Sequence, residues 1–167
     1  MNATIHLFDQ LPVAPLAEAG TPEAVRAPVR AVPLVGVIRN QRSHRNAGGA
    51  QPEITATATL LVEAPTRRGE LLDILRGFAE QGIDYLVVDG GDGTVRDVLP
   101  CGTAVFGGGA WPRLILLPAG KTNALAADLS LPADWSLDRA LAEAAAGRGT
   151  VRRPLLVAEA DNPQARV

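Results

Sequence analysis

The sequence predicts an α/β fold around a mostly parallel sheet, and three observations lead there. Short apolar runs of the kind that form strands covered on both faces recur along the chain. Segments of helical periodicity separate them, and strands alternating with helices mean βαβ units with parallel strands. Polar or Gly-rich loops follow three of the runs, at the strand ends where such sheets bind ligands.

The elements follow in order. The first strand is read at 34–38, LVGVI, a continuous apolar run. The second is read at 54–62, ITATATLLV, which opens with strict alternation and is heavy in β-branched residues. A helix is expected over 66–81, because Leu71, Ile74, Leu75 and Phe78 fall on one face and Gly82 stops it. The third and fourth strands are read at 83–88 and 114–117, with one helix after Thr94 and another after Thr122. A last helix spans 136–147, with Leu137, Leu141 and Ala144 on one face, and 151–158 reads as a final strand.

Bulk properties narrow the function. With 167 residues, 47% hydrophobic and 20% charged, the chain suffices for one domain of ordinary size. Its formal charge of −2 gives no reason to expect nucleic acid as a partner. Cys101 is the single cysteine, so no disulfide framework forms and a reducing cytoplasm is the simple reading. The N-terminal stretch lacks the pattern of a secretory signal, and no window reaches the ~18 apolar residues of a membrane span. Any membrane contact is therefore expected to be peripheral. Residues 1–32 read as a flexible Ala/Pro-rich arm, 33–150 as the folded core, and 151–167 as a tail or the start of a further domain.

Three loops carry the chemistry. In DGGDGT (89–94), Gly90, Gly91 and Gly93 can take positive φ and let backbone approach a bulky anion without interference from a Cβ. Thr94 is placed to N-cap the next helix with Asp97 as its capping-box partner, leaving free N–H groups for a phosphate. Asp92, on the same loop, would hold Mg²⁺ or polarise a hydroxyl. On that reading Asp92→Asn abolishes turnover and leaves the fold intact. A dinucleotide G-x-G-x-x-G would need glycine at Arg96, and an EF-hand loop would need its glutamate at Pro100. PAGKTN (118–123) is not a P-loop, since the required glycine is Ile115, but Gly120, Lys121, Thr122 and Asn123 could bind phosphate or fix the neighbouring loop. RNQRSHRN (39–46) is cationic and could clamp phosphates or simply be solvated. His44 makes no metal case, because His6 is the only other histidine and Cys101 the only thiol.

Together these loops resemble the catalytic domain of the diacylglycerol kinase family, which is related to NAD kinases. The family signature GGDGT is matched by Gly90 to Thr94, and the V-N-E-V pattern that follows it by Val95-Arg96-Asp97-Val98. A second signature, P-x-G-T-x-N-D-x-A, aligns with 118–126, where Lys121 replaces Thr and Ala124 replaces Asp. Asn40, Gln41 and Ser43 stand where the first strand of the family ends. The resemblance implies a Rossmann-like three-layer sandwich and transfer of the ATP γ-phosphoryl to a lipid or small-molecule alcohol, with Mg²⁺. It implies that Gly90, Gly91, Gly93 and Thr94 hold ATP phosphates, that Asn40 lies beside the nucleotide, and that Asp92 is the catalytic and metal-binding carboxylate. Gly120, Lys121, Thr122 and Asn123 join the nucleotide site. Family members continue into a β-rich domain that forms the lipid cleft, so this chain is expected to be incomplete alone, with apolar surface through which copies could self-associate. The alternatives are an inactive nucleotide-binding module and a kinase that takes NAD as its acceptor.

Overall fold

A computed structural model describes residues 30–48, 57–107 and 111–148. Its strands are β1 (Leu34–Arg39), β2 (Thr59–Glu63), β3 (Tyr85–Gly90) and β4 (Arg113–Pro118). They form one parallel sheet in the order β2-β1-β3-β4. Its helices are α1 (Arg68–Gln81), α2 (Asp92–Phe106), α3 (Ala124–Asp128) and α4 (Leu137–Ala145).

Side-chain alternation along the strands sorts the core into two layers. Ile38, Leu86, Val88 and Leu116 pack against Leu75 and Phe78 of α1 and Val98 and Cys101 of α2. Val35, Val37, Val87 and Ile115 face the other way, onto Leu137, Ala140 and Leu141 of α4. The result is the expected three-layer sandwich. Gly36 belongs to the first layer: a Cβ there would lie 2.6 Å from the Phe78 ring and 2.9 Å from Ile83.

Element ends follow from local chemistry. Gly82 closes α1 in the left-handed region at φ 62°, a conformation that costs glycine little. Ser136 caps α4 by accepting the Arg139 N–H at 3.3 Å. Arg30, within the segment read as a flexible arm, is fastened to the sheet by donating to Gly82 O (2.8 Å) and the Asp84 carboxylate (3.0 Å). Two expected boundaries move. Helix α2 begins at Asp92 with Gly91 as its N-cap, so Thr94 sits in the first turn and caps nothing. Helix α3 begins at Ala124, one residue later than expected, because Asn123 takes a left-handed conformation (φ 51°) and breaks the turn before it. The start of the second predicted strand, most of the arm and all of 151–167 lie outside the described residues. Among the described residues no helix is long and apolar enough to cross a membrane.

Candidate functional site

The three loops singled out in the sequence meet at the carboxyl end of the sheet, bound to one another by backbone. Asn40 N–H donates to Asp89 O (2.9 Å), Ala119 N–H to Gly90 O (2.9 Å), and Arg45 N–H to Ala119 O (3.0 Å). The glycines of DGGDGT serve this convergence by close approach. Among the described glycines, positive φ occurs at Gly82, Gly107 and Gly147, not at Gly90, Gly91 or Gly93. A Cβ at Gly90 would lie 2.3 Å from Thr94 Oγ1, and one at Gly91 would lie 2.9 Å from Gly120 Cα. Gly93 differs, since a Cβ there would meet nothing within 4 Å and the residue is exposed. It opens the first turn of α2, where the leading N–H groups have no intrahelical acceptor and carry the positive end of the helix dipole.

Asp89, which sequence reasoning left unassigned, is the buried node beneath these loops. Its carboxylate lies 3.7 Å from the Arg39 guanidinium, with both side chains about nine-tenths buried, and accepts from Asn46 Nδ2 at 3.0 Å. Arg39 is therefore turned into the protein and not toward a ligand. Asn46 also donates to Asn40 O (3.1 Å), so the β1 loop is folded around Asp89. Asn40 links this node to α2: its Nδ2 donates to Thr94 Oγ1 (2.9 Å) and its Oδ1 accepts the Arg42 N–H (2.9 Å). The signal for Asp89 was an acidic residue closing an otherwise apolar strand, since a buried carboxylate needs a partner.

The second motif closes on itself and on Asp92. Gly120 N–H donates to Asn123 Oδ1 (2.9 Å), and Asn123 Nδ2 donates back to Gly120 O (2.9 Å). Both carboxylate oxygens of Asp92 accept backbone N–H groups at the start of α3, from Ala124 (3.0 Å) and Leu125 (3.3 Å). Lys121 and Thr122 are exposed. Among the described residues no group of three or more His, Cys, Asp or Glu gathers that could hold a metal.

Beside this junction lies a cavity of ≈ 360 Å³. Its floor is apolar, from Ile38, Leu71 and Val98, and Asn40 and Thr94 stand on one wall. Arg39 borders it with its charge already met by Asp89, while Arg42, Arg67 and Arg68 line it against one carboxylate, Asp97, so the cavity favours an anionic ligand. The segment 64–67 is a fourth loop at the carboxyl end of the sheet, and it escaped the sequence reading. The rule that picked the other three would have found it, because the loop that ends in Arg67 leaves the carboxyl end of β2 and leads into α1 at Arg68. Glu70 braces this loop: its carboxylate accepts from Thr66 N–H (2.7 Å), Thr66 Oγ1 (3.0 Å) and Arg67 N–H (3.2 Å). Those bonds, the Thr66 N–H foremost, hold the Glu70 carboxyl below the usual glutamate range.

No curated protein matches the chain. One similar solved structure, a candidate diacylglycerol kinase from Bacillus anthracis str. Sterne, is 25% identical with a TM-score of 0.49. The match covers 62% of this chain and 36% of that one, so the chain spans about a third of that protein's length. Residues 36–153 match the family model for the diacylglycerol kinase catalytic domain, and they hold every loop described above. The chain belongs to the diacylglycerol kinase catalytic domain family.

Proposed function

We propose that the chain is the nucleotide-binding part of an ATP-dependent kinase acting on a lipid-like alcohol. The observation that carries this reading is the arginine-lined cavity beside the first turn of α2. The residues fit a nucleotide. The open space at Gly93 gives phosphate access to the leading N–H groups of α2, and Thr94 of that turn, with Asn40 bonded to it, lines the cavity. Arg42, Arg67 and Arg68 supply charge, with the bidentate geometry guanidinium brings to phosphate. Lys121, exposed on the third loop, adds a mobile cation. ATP, when bound, supplies the phosphoryl group, and the chain's own work is positioning and charge neutralisation.

Mg²⁺ would arrive with the nucleotide, since such ions are held by phosphates, waters and one or two carboxylates and need no protein cage. The acceptor hydroxyl would be presented at a lipid surface by peripheral contact. Calorimetry of the 167-residue chain with ATP and Mg²⁺ tests the reading. A saturable heat at sub-millimolar ATP is expected, and no heat at millimolar ATP would end it. One observation favours a second reading, an inactive nucleotide-binding module: Ala124 removes a carboxylate from the second motif. That reading expects ATP binding without turnover on diacylglycerol, sphingoid or isoprenoid alcohols.

A further inference from the structure

We infer that Asn46 is a positioning residue of the site: anchored on the Arg39–Asp89 pair, it holds Asn40 so that the Thr94 hydroxyl is left as a hydrogen-bond donor to a ligand. The inference rests on the nucleotide reading above for the identity of that ligand, a phosphate oxygen. Three observations carry it.

Hydrogen-bond chemistry fixes which way both amides face. Asn46 is buried, and one end of its side chain meets three oxygens at once: Asp89 Oδ1 (3.0 Å), Asp89 O (3.3 Å) and Asn40 O (3.1 Å). Only the nitrogen can stand there, because an amide oxygen has no hydrogen to give to three acceptors. Asn40 is fixed from its other end. Its Oδ1 takes the Arg42 N–H (2.9 Å), which requires an acceptor, so Nδ2 is the end that meets Thr94 Oγ1 at 2.9 Å.

The second observation is the sense of the bond at Thr94. Asn40 donates there, so the hydroxyl oxygen accepts and its hydrogen is left over. Thr103, further along the same helix, spends its hydroxyl hydrogen on Leu99 O, four residues back (3.0 Å). Thr94 does not, and Gly90 O, four residues before it, takes the Ala119 N–H (2.9 Å). Among the described residues no oxygen receives the Thr94 hydrogen. Thr94 lines the cavity, so that hydrogen is free for an acceptor held there. The third is charge. Asp89, from which Asn46 hangs, stands directly across from Arg39 in the β1–β3 register, 3.7 Å away. The anchor therefore brings its own counter-charge to the floor of a site that takes anions.

Asn46 touches the cavity only through Asn40, and Asn40 sets the direction in which Thr94 donates. Without Asn46, the Asn40 carbonyl loses its side-chain donor and the β1 loop loses its hold on Asp89. Asn40 is then free to turn its oxygen toward Thr94, which would take the hydroxyl hydrogen away from the ligand. The effect of Asn46 on ligand binding must therefore run through the Thr94 hydroxyl and vanish when that hydroxyl is absent.

The experiment is a double-mutant cycle read by ATP calorimetry on the wild-type chain, Asn46→Ala, Thr94→Val and the double variant, with NMR of the Asn40 side-chain amide. Asn46→Ala should weaken ATP binding about fivefold to tenfold, the scale of one hydrogen bond, and by less than about twofold when Thr94 is already valine. The two Asn40 side-chain amide protons should move toward their unstructured positions in Asn46→Ala. An equal loss of affinity in both backgrounds, the signature of a merely structural residue, would overturn the inference. So would an ATP affinity that Asn46→Ala leaves unchanged. If urea unfolding shows that Asn46→Ala does not fold, Asn46→Ser, which keeps a shorter donor, takes its place in the same cycle with the same outcomes. A wild type that binds no ATP would remove the nucleotide reading by itself. The positioning role would then stand if the Asn40 amide protons move in the Asn46 variant and fall if they do not.

Discussion

Replacing Gly91 by alanine sets two opposing effects against each other at one backbone position. The conformation itself, φ −94° and ψ −174°, is extended backbone that alanine adopts without strain. On that ground alone Gly→Ala would stabilise the protein by about 0.4–1 kcal/mol, through a less flexible unfolded chain. The new Cβ, however, would lie 2.9 Å from Gly120 Cα and 3.5 Å from Gly120 N. Carbon atoms prefer ~3.5–4.0 Å, so the loops would have to part by roughly 0.5–1 Å. The obstacle is main chain, with no rotamer to swing away, and Gly120 is held by the reciprocal bonds to Asn123. Overpacking of this kind costs typically ~1–3 kcal/mol. Steric cost wins, and the net expectation is a loss of about 0.5–2 kcal/mol. Urea unfolding of both proteins, compared at equal m-value, measures it. A Gly91→Ala chain as stable as wild type, or more so, would refute the claim that the two loops are in tight backbone contact.

Gly93→Ala is the counterpart, since open space surrounds that position. It should raise stability by up to about 1 kcal/mol, as Gly→Ala does within a helix, while weakening ATP binding measured by calorimetry. Asp89→Asn leaves the buried Arg39 without its carboxylate and should cost about 2–4 kcal/mol in a urea titration, with Asn40 and Asn46 resonances shifted in NMR spectra. Glu70 gives a pH dependence with a definite sign. Its carboxyl is lowered in the folded chain, so the bonds to Thr66 and Arg67 contribute fully above the ordinary glutamate pKa of ~4.3 and are lost as pH falls through the folded value. The stability gap between wild type and Glu70→Gln should therefore be open at pH 7 and close as the pH is taken below about 4.

The sheet was legible because the strands are apolar runs and the helices carry one-sided periodicity. Leu71, Leu75 and Phe78 are buried as their spacing foretold. The convergence of three loops was legible from a topological rule and needed no side-chain detail. Two local readings failed. Thr94 looks like an N-cap by residue type, but α2 already begins at Asp92, the Thr94 N–H bonds Gly91 O, and the Thr94 hydroxyl accepts from Asn40. Thr122 looks like a helix start, but the first N–H groups of α3 are met by Asp92, 32 residues away. Capping rules consider neighbours within about four residues, so such a long-range partner escapes them. Of the two properties read for the glycines, positive φ does not occur at Gly90, Gly91 or Gly93, and the close approach at Gly90 and Gly91 is to Thr94 and Gly120 of the chain itself. Asp89 and the arginines beyond β2 were legible in principle, the first as a carboxylate near the end of a buried strand and the others by their place past the carboxyl end of β2.

The parallel topology also has a temporal side. Every sheet pairing is parallel and joins distant residues, such as Leu34 with Thr59, Val35 with Tyr85 and Tyr85 with Arg113, and the contacts that build the site span 32 residues between Asp92 and Ala124 and 54 between Asn40 and Thr94. Long-range pairings of this sort form slowly, because loop closure must be met before the contacts reward it. During synthesis the β1 loop and the GGDGT turn emerge well before residues 118–125, which supply the partners of Arg45, Gly91 and Asp92. A nascent chain halted near residue 110 would thus hold the residues that line the cavity but not the loop after β4 that meets Gly91 and Asp92. The site should appear as a late, cooperative event once β4 has joined the sheet.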